Sequence, residues 1–150
     1  MKTRTDQLFD NLEAYLGPAI AEAIDERNAN SPDLYLENVK EWDRGWRDVV
    51  SGAREFPAVI FLEKSRSMAD SFTAQYDLEI AFACKGSDAE LIERQGEAYK
   101  DVLEDVLLAD CHLGDTCLDS NNLSIETGYA GSVYIAVCSI SLTVDRGGFL

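Results

Sequence analysis

Between Phe72 and Asp110 the hydrophobic pattern changes period once. Phe72, Ala74, Tyr76, Leu78, Ile80, Phe82 and Cys84 alternate with Thr73, Gln75, Asp77 and Glu79, the period of two that marks a half-buried strand. After Gly86 the period lengthens. Ser87-Asp88-Ala89-Glu90 has the spacing of a capping box, with the Ser87 hydroxyl accepting from the first turn and Glu90 reaching back. Leu91, Ile92, Gln95, Ala98, Tyr99, Val102, Leu103, Val106 and Leu107 then hold a helical stripe. A strand and a helix with one apolar side each, joined by a short turn, bury those sides against one another, which predicts an α+β core.

The rest of the chain supplies the neighbours. Leu8, Phe9, Leu12, Tyr15, Leu16, Ala19, Ile20, Ala23 and Ile24 make a first helix capped by Thr3 or Thr5. Gly17-Pro18 interrupts it, so a kink or a restarted second helix is expected there, since proline removes one helical hydrogen bond. Asn28 to Pro32 reads as a turn, and residues 33–55 as irregular, with Leu34, Leu36 and Val39 hinting at a short strand. Within that stretch Trp42 and Trp46 share one face if helical: either anchors closing one end of the core, or an interface hot spot together with Arg44 and Arg47. Phe56 to Glu63 is a short apolar strand with Pro57 at its start, joined to the long strand by a polar loop carrying Lys64 and Arg66. Beyond the helix, Cys111 to Cys117 is a loop. Asn121 to Thr127 is a short strand, Gly128 to Gly131 a turn, and Tyr134, Ala136, Cys138, Ile140, Leu142 and Val144 one face of a last strand. Residues 146–150 read as a flexible tail. The expected architecture is a single domain over residues 1–150: an antiparallel or mixed sheet packed against an N-terminal helical region and a central amphipathic helix, in the order αα–irregular–ββ–α–ββ.

Composition adds a bias. The net charge is −15 with an isoelectric point near 4.2, which disfavours free association with nucleic acid or an anionic membrane. The charge is uneven: residues 40–66 sum to +1, residues 67–150 to −11. Neither a signal sequence nor an apolar run of bilayer length is present, and the four cysteines suit free thiols in a cytosol. Catalytic signatures are missing. There is one histidine, no nucleophile elbow and no phosphate-cradling glycine loop, so neither an enzyme nor a cofactor is expected. Cys111, His112 and Cys117, with Asp115 or Asp119, are the only candidate metal ligands. Their spacing is looser than zinc sites use, and a loop with incidental thiols is the favoured reading. Glu93, Glu97, Asp101 and Asp105 form a row of like charges four residues apart, each step costing a few tenths of a kcal/mol on a helix. The row is either a solvated face, or a wall facing a basic neighbour or DNA that passes without sticking.

The element order resembles that of the tail-terminator and tail-completion (minor tail) proteins of long-tailed bacteriophages and prophages. Carrying the resemblance are the helical N-terminus with its irregular sequel, the Pro57-Ala58-Val59-Ile60-Phe61-Leu62 strand paired with Phe72–Cys84, and the Ser87–Asp110 helix leading into a closing antiparallel pair. Asn38 to Trp46 is similar to a paired-aromatic segment of some tail proteins of this size. The resemblance implies a non-enzymatic subunit of a ring, commonly hexameric, that caps the tail tube and joins it to the neck. It also implies assembly in the host cytoplasm and residence in the virion tail. Partners would be the tube protein, a head-completion protein and further copies of the chain, with DNA crossing the lumen without specific binding. Ring contacts are head-to-tail, using two unlike patches. The near-neutral segment around Trp42, Arg44, Trp46, Arg47, Lys64 and Arg66 and the acidic row could serve as those patches. The alternative is a small cytosolic adaptor that uses its sheet face for a peptide or small ligand.

Overall fold

The computed structural model describes residues 2–45, 54–68 and 70–146. Helix α1 (Arg4–Asn30) is followed by an extended segment and five strands interrupted by a second helix: β1 (Glu41–Arg44), β2 (Ala58–Met68), β3 (Thr73–Lys85), α2 (Ala89–Ala109), then β4 (Asp119–Ala130) and β5 (Val133–Asp145). The strands make one mixed five-stranded sheet in the order β1-β2-β3-β5-β4, parallel only between β1 and β2. Both helices lie on the same face. This is the expected α+β architecture.

The helices form where the pattern placed them, with three local differences. Thr3 caps α1 in a reciprocal box with Asp6. The expected helix pair is one helix of 27 residues with Pro18 inside it. Pro18 and Ala14 both lie on the exposed side, so the Ala14 carbonyl that proline leaves unbonded can be hydrated. The helix also continues through Asn28, Ala29 and Asn30, which were expected to turn. On α2 the cap is Asp88 rather than Ser87: its carboxylate accepts from the Glu90 and Leu91 amides at 3.1 and 3.2 Å. A charged acceptor at the positive end of the helix dipole outcompetes a hydroxyl.

The core lies between the helices and one sheet face. From α1 come Leu8, Phe9, Leu12, Leu16, Ile20 and Ile24. α2 gives Ile92, Ala98, Tyr99, Val102, Leu103, Val106 and Leu107. The sheet offers Val59 and Phe61, then Ala74 to Cys84 and Tyr134 to Val144 at every second position. Each large side chain so buried contributes about 1.5–3 kcal/mol. Phe9 stacks on Phe61 with ring centroids 5.3 Å apart, and Phe82 on Tyr99 at 4.6 Å, fastening α1 over β2 and α2 over β3. Two members expected in these stripes are outside the core: Phe72 precedes β3 and is 76% exposed, and Leu91 is 42% exposed.

The strands are longer than their sequence cues. β2 continues through the polar run Lys64 to Met68, so the expected loop is strand, with a bulge between Glu63 and Ser65. β4 likewise runs on through Gly128-Tyr129-Ala130 and turns only after it. A polar sequence is compatible with a strand when only one of its faces is buried. β1 corrects the helical possibility at Trp42: Glu41 to Arg44 pair in parallel with Ala58 to Phe61. The segment before β1 is held by side chains instead of a ladder. Asn28 clamps both backbone groups of Leu36 at 2.8 Å, Tyr99 donates to the Glu37 carbonyl at 2.7 Å, and Gln95 donates to the Tyr35 carbonyl at 3.0 Å.

Candidate interaction surfaces

The residues around β1 expected to form an interface are largely internal fastenings. Trp42 points to the helix side, where its ring lies 5.9 Å from that of Phe61. Arg44 reaches across to α1, 2.8 Å from Asp10 and over the Phe9 ring, and it holds the Asp10 carboxyl below its ordinary value, second to Lys2. Arg66 sits over the Tyr76 ring and bonds Glu63 and Thr5, again tying β2 to α1. Lys64 stands exposed at the β2 bulge. Trp46 and Arg47 lie outside the described residues, as do the last four of the expected tail. Arg146, the first of that tail, is bonded through its amide to the Phe72 carbonyl and through its guanidinium to that of Ser71.

The helical acidic row does lie outward, and its members differ. Glu97 accepts from the Tyr134 hydroxyl and pairs with Lys100; Lys100 foremost and then Tyr134 pull its carboxyl below the usual range. Asp101 pairs with Arg27 of α1 at 3.5 Å. Glu93 and Glu97 stand beside Tyr129 of β4; desolvation first, then the charge of Glu93, pushes the Tyr129 phenol up. The Tyr129 ring is edge-on to Tyr134, with centroids 5.3 Å apart.

The Cys111–Cys117 loop is bound inward. Asp110 accepts from the His112 and Gly114 amides at 2.9 and 3.0 Å, the His112 ring nitrogen Nδ1 lies 3.0 Å from the Leu118 carbonyl, and Cys117 donates to the Cys111 carbonyl. Leu113 is fully buried, and Gly114, at φ +66°, passes so close to Tyr15 that a Cβ there would lie 2.8 Å from the ring. Among the described residues no three His, Cys, Asp or Glu side chains are grouped to hold an ion.

Three further surfaces emerge from the fold. The first is the tip of the β2–β3 hairpin, where Met68 is 51% and Phe72 76% exposed. The second is the sheet face away from the helices. Its half near β1 is apolar and buried, with Ala58, Ile60, Ala81 and Ala83; here Arg54 lies 2.8 Å from Asp43. The other half is open and hydroxyl-rich. Asp77 accepts from Ser65 at 2.8 Å and Ser141 at 2.7 Å, bonds that with Gln75 hold its carboxyl low, and the floor around it is a groove of about 520 Å³ reaching Lys64, Asn122 and Ser139. The third is the outer edge of β4, with no further strand beside it among the described residues. The alternation of Ser139, Ser141 and Thr143 marked the open half of the face; nothing local marked the other two.

No protein-family model matches the chain, and a search of curated proteins finds none that matches it. No helix among the described residues is long and apolar enough to cross a membrane.

Proposed function

We infer that the chain is a structural, self-assembling protein of the tail-terminator kind: a ring subunit that caps a tail tube and joins it to the neck. The observation that carries this reading is the β2–β3 hairpin, where Met68 at the end of β2 and Phe72 just before β3 hold their apolar side chains in solvent. A phenylalanine left this exposed forgoes about 1.5–3 kcal/mol that a neighbouring subunit would recover by covering it. An arm on one side of a subunit that seats on an unlike patch of the next is a head-to-tail contact, the kind that closes rings. The outward face of α2 suits a lumen through which DNA slides, because its carboxylates outnumber Arg94 and Lys100 and disfavour phosphate.

The test is light-scattering mass after size exclusion from micromolar to millimolar protein, with negative-stain images of any large species. Rings of one diameter are expected, and Phe72→Ser should abolish them while leaving the monomer folded. A monomer at every concentration with no rings on the grids would refute the assignment. A second reading, an adaptor that binds a small polar ligand, is favoured by the hydroxyl-lined groove around Asp77. A monomer that binds such a ligand saturably, and loses it on Ser141→Val, would establish that reading instead.

A further inference from the structure

The free edge of β4 has a form that selects its occupant. The strand is interrupted by a bulge between Asn121 and Ser124, where Asn122 adopts φ +56°. A bulge of this kind twists an edge away from unwanted pairing. From Ser124 to Ala130, in contrast, every residue pairs in regular register with β5. Those seven residues offer an unbroken edge roughly 20 Å long at about 3.3 Å per residue, with Glu126 its one charge. Ile125, Thr127 and Tyr129 pair with Cys138, Ala136 and Tyr134 and so face the helix layer, where the edge is overlooked by α2. Tyr129 is 55% exposed and has Glu93 and Glu97 beside it.

We propose that the outer edge of β4 between Ser124 and Ala130 accepts an extended segment of a different protein, one that carries lysine or arginine on the side facing α2. The backbone of the added strand completes the edge ladder, and its basic side chain lies beside the Tyr129 ring and Glu93, one turn of α2 from Glu97, which Lys100 already pairs. Charge complementarity decides the class of occupant. A second copy pairing through its own β4 would bring Glu93 and Glu97 against their counterparts on a chain of net charge −15. Nor do the described cations near β1 offer a match: Lys40 is paired with Glu37, Arg44 with Asp10 and Arg54 with Asp43. The inference is independent of ring formation, since the edge is available in the monomer.

The probe is a nine-residue synthetic peptide alternating lysine and valine, titrated into the isotopically labelled full chain at physiological salt, with a glutamate–valine peptide of the same length as control. The lysine peptide should slow amide exchange within Ser124–Ala130 at least tenfold, and the control should not. Glu93→Lys, an exposed change that leaves the core untouched, should weaken lysine-peptide binding at least tenfold, and Tyr129→Ser should weaken it several-fold. Equal binding of both peptides, protection confined to another element, or unchanged affinity of the Glu93→Lys protein would each overturn the proposal. Protection of the β4 amides that rises with protein concentration in the absence of peptide would overturn it in favour of a second copy.

Discussion

Replacing Gly96 with alanine tests how closely α2 is seated on β5. On an exposed helix this change stabilises by about 1 kcal/mol, because alanine loses less backbone freedom. Here a Cβ would lie 2.2 Å from Tyr134 Cδ1, 2.4 Å from Cε1 and 2.7 Å from Cγ, where carbon atoms settle at about 3.5–4.0 Å. The ring must therefore move by more than about 1 Å. It has little room: Tyr134 is 3% exposed, its hydroxyl is held by Glu97, and its face meets the edge of Tyr129. Overpacking of this kind costs about 1–3 kcal/mol, and the strained hydroxyl bond adds about another 1 kcal/mol. Net of the propensity gain, Gly96→Ala should destabilise by about 1–3 kcal/mol, measured as a lower urea midpoint at unchanged slope, or a Tm lower by about 2–4 °C per kcal/mol. In a Tyr134→Leu background the alanine should cost less, with a coupling of at least about 0.5 kcal/mol. A Gly96→Ala protein as stable as the parent would show that α2 does not rest on β5 at this distance.

Other perturbations probe the remaining contacts. Asp77 has its folded pKa lowered from 3.8 by the Ser141, Ser65 and Gln75 bonds, so its stabilising contribution is full above that value and is lost as the pH falls through the folded pKa. Stability curves of the parent and Asp77→Asn should differ at neutral pH and converge in acid, once the pH has fallen through the lowered folded pKa. Of the four thiols, Cys84, Cys117 and Cys138 are buried and pushed up to about 12 by desolvation, while Cys111 is exposed. A disulfide reagent at neutral pH should titrate one thiol quickly and the other three only on unfolding; fast reaction of a second would refute the packing of its element. Arg44→Ala should lower monomer stability by about 0.2–1 kcal/mol, the range for partly exposed pairs, without altering any oligomer. A change of assembly at constant stability would return Arg44 to an interface.

What could be read from the sequence was whatever a period encodes. The alternation from Ala74 to Cys84 and from Tyr134 to Val144 placed every one of those side chains on the buried face, because a strand with one wet side must alternate. The stripe on α2 held from Ile92 to Leu107 for the same reason. Where partners lie far apart in sequence, the period gives nothing. Lys64 to Met68 is strand only because β3 lies beside it, and Leu36 is fixed by an amide from α1, eight residues back along the chain. Gly96 has no side chain to join the stripe, and its close approach to Tyr134 is visible only once β5 lies opposite.

The arginines show what charge alone leaves open: how a cation is used within the chain. A near-neutral segment between acidic ones suggested an interface at Arg44 and Arg66, yet both guanidiniums are used within the chain, against Asp10 and over Tyr76. An acidic protein whose helix α1 overlies its sheet needs cations at that seam, and Arg44 and Arg66 supply them. The interaction surfaces then fall where neutral groups meet solvent: the hairpin tip, the hydroxyl-lined half of the sheet and the regular stretch of β4. Of these the regular stretch of β4 lies nearest the α2 carboxylates, where Lys100 and Arg27 pair with Glu97 and Asp101 and not with Glu93, which is the physical reason to look there for a basic partner.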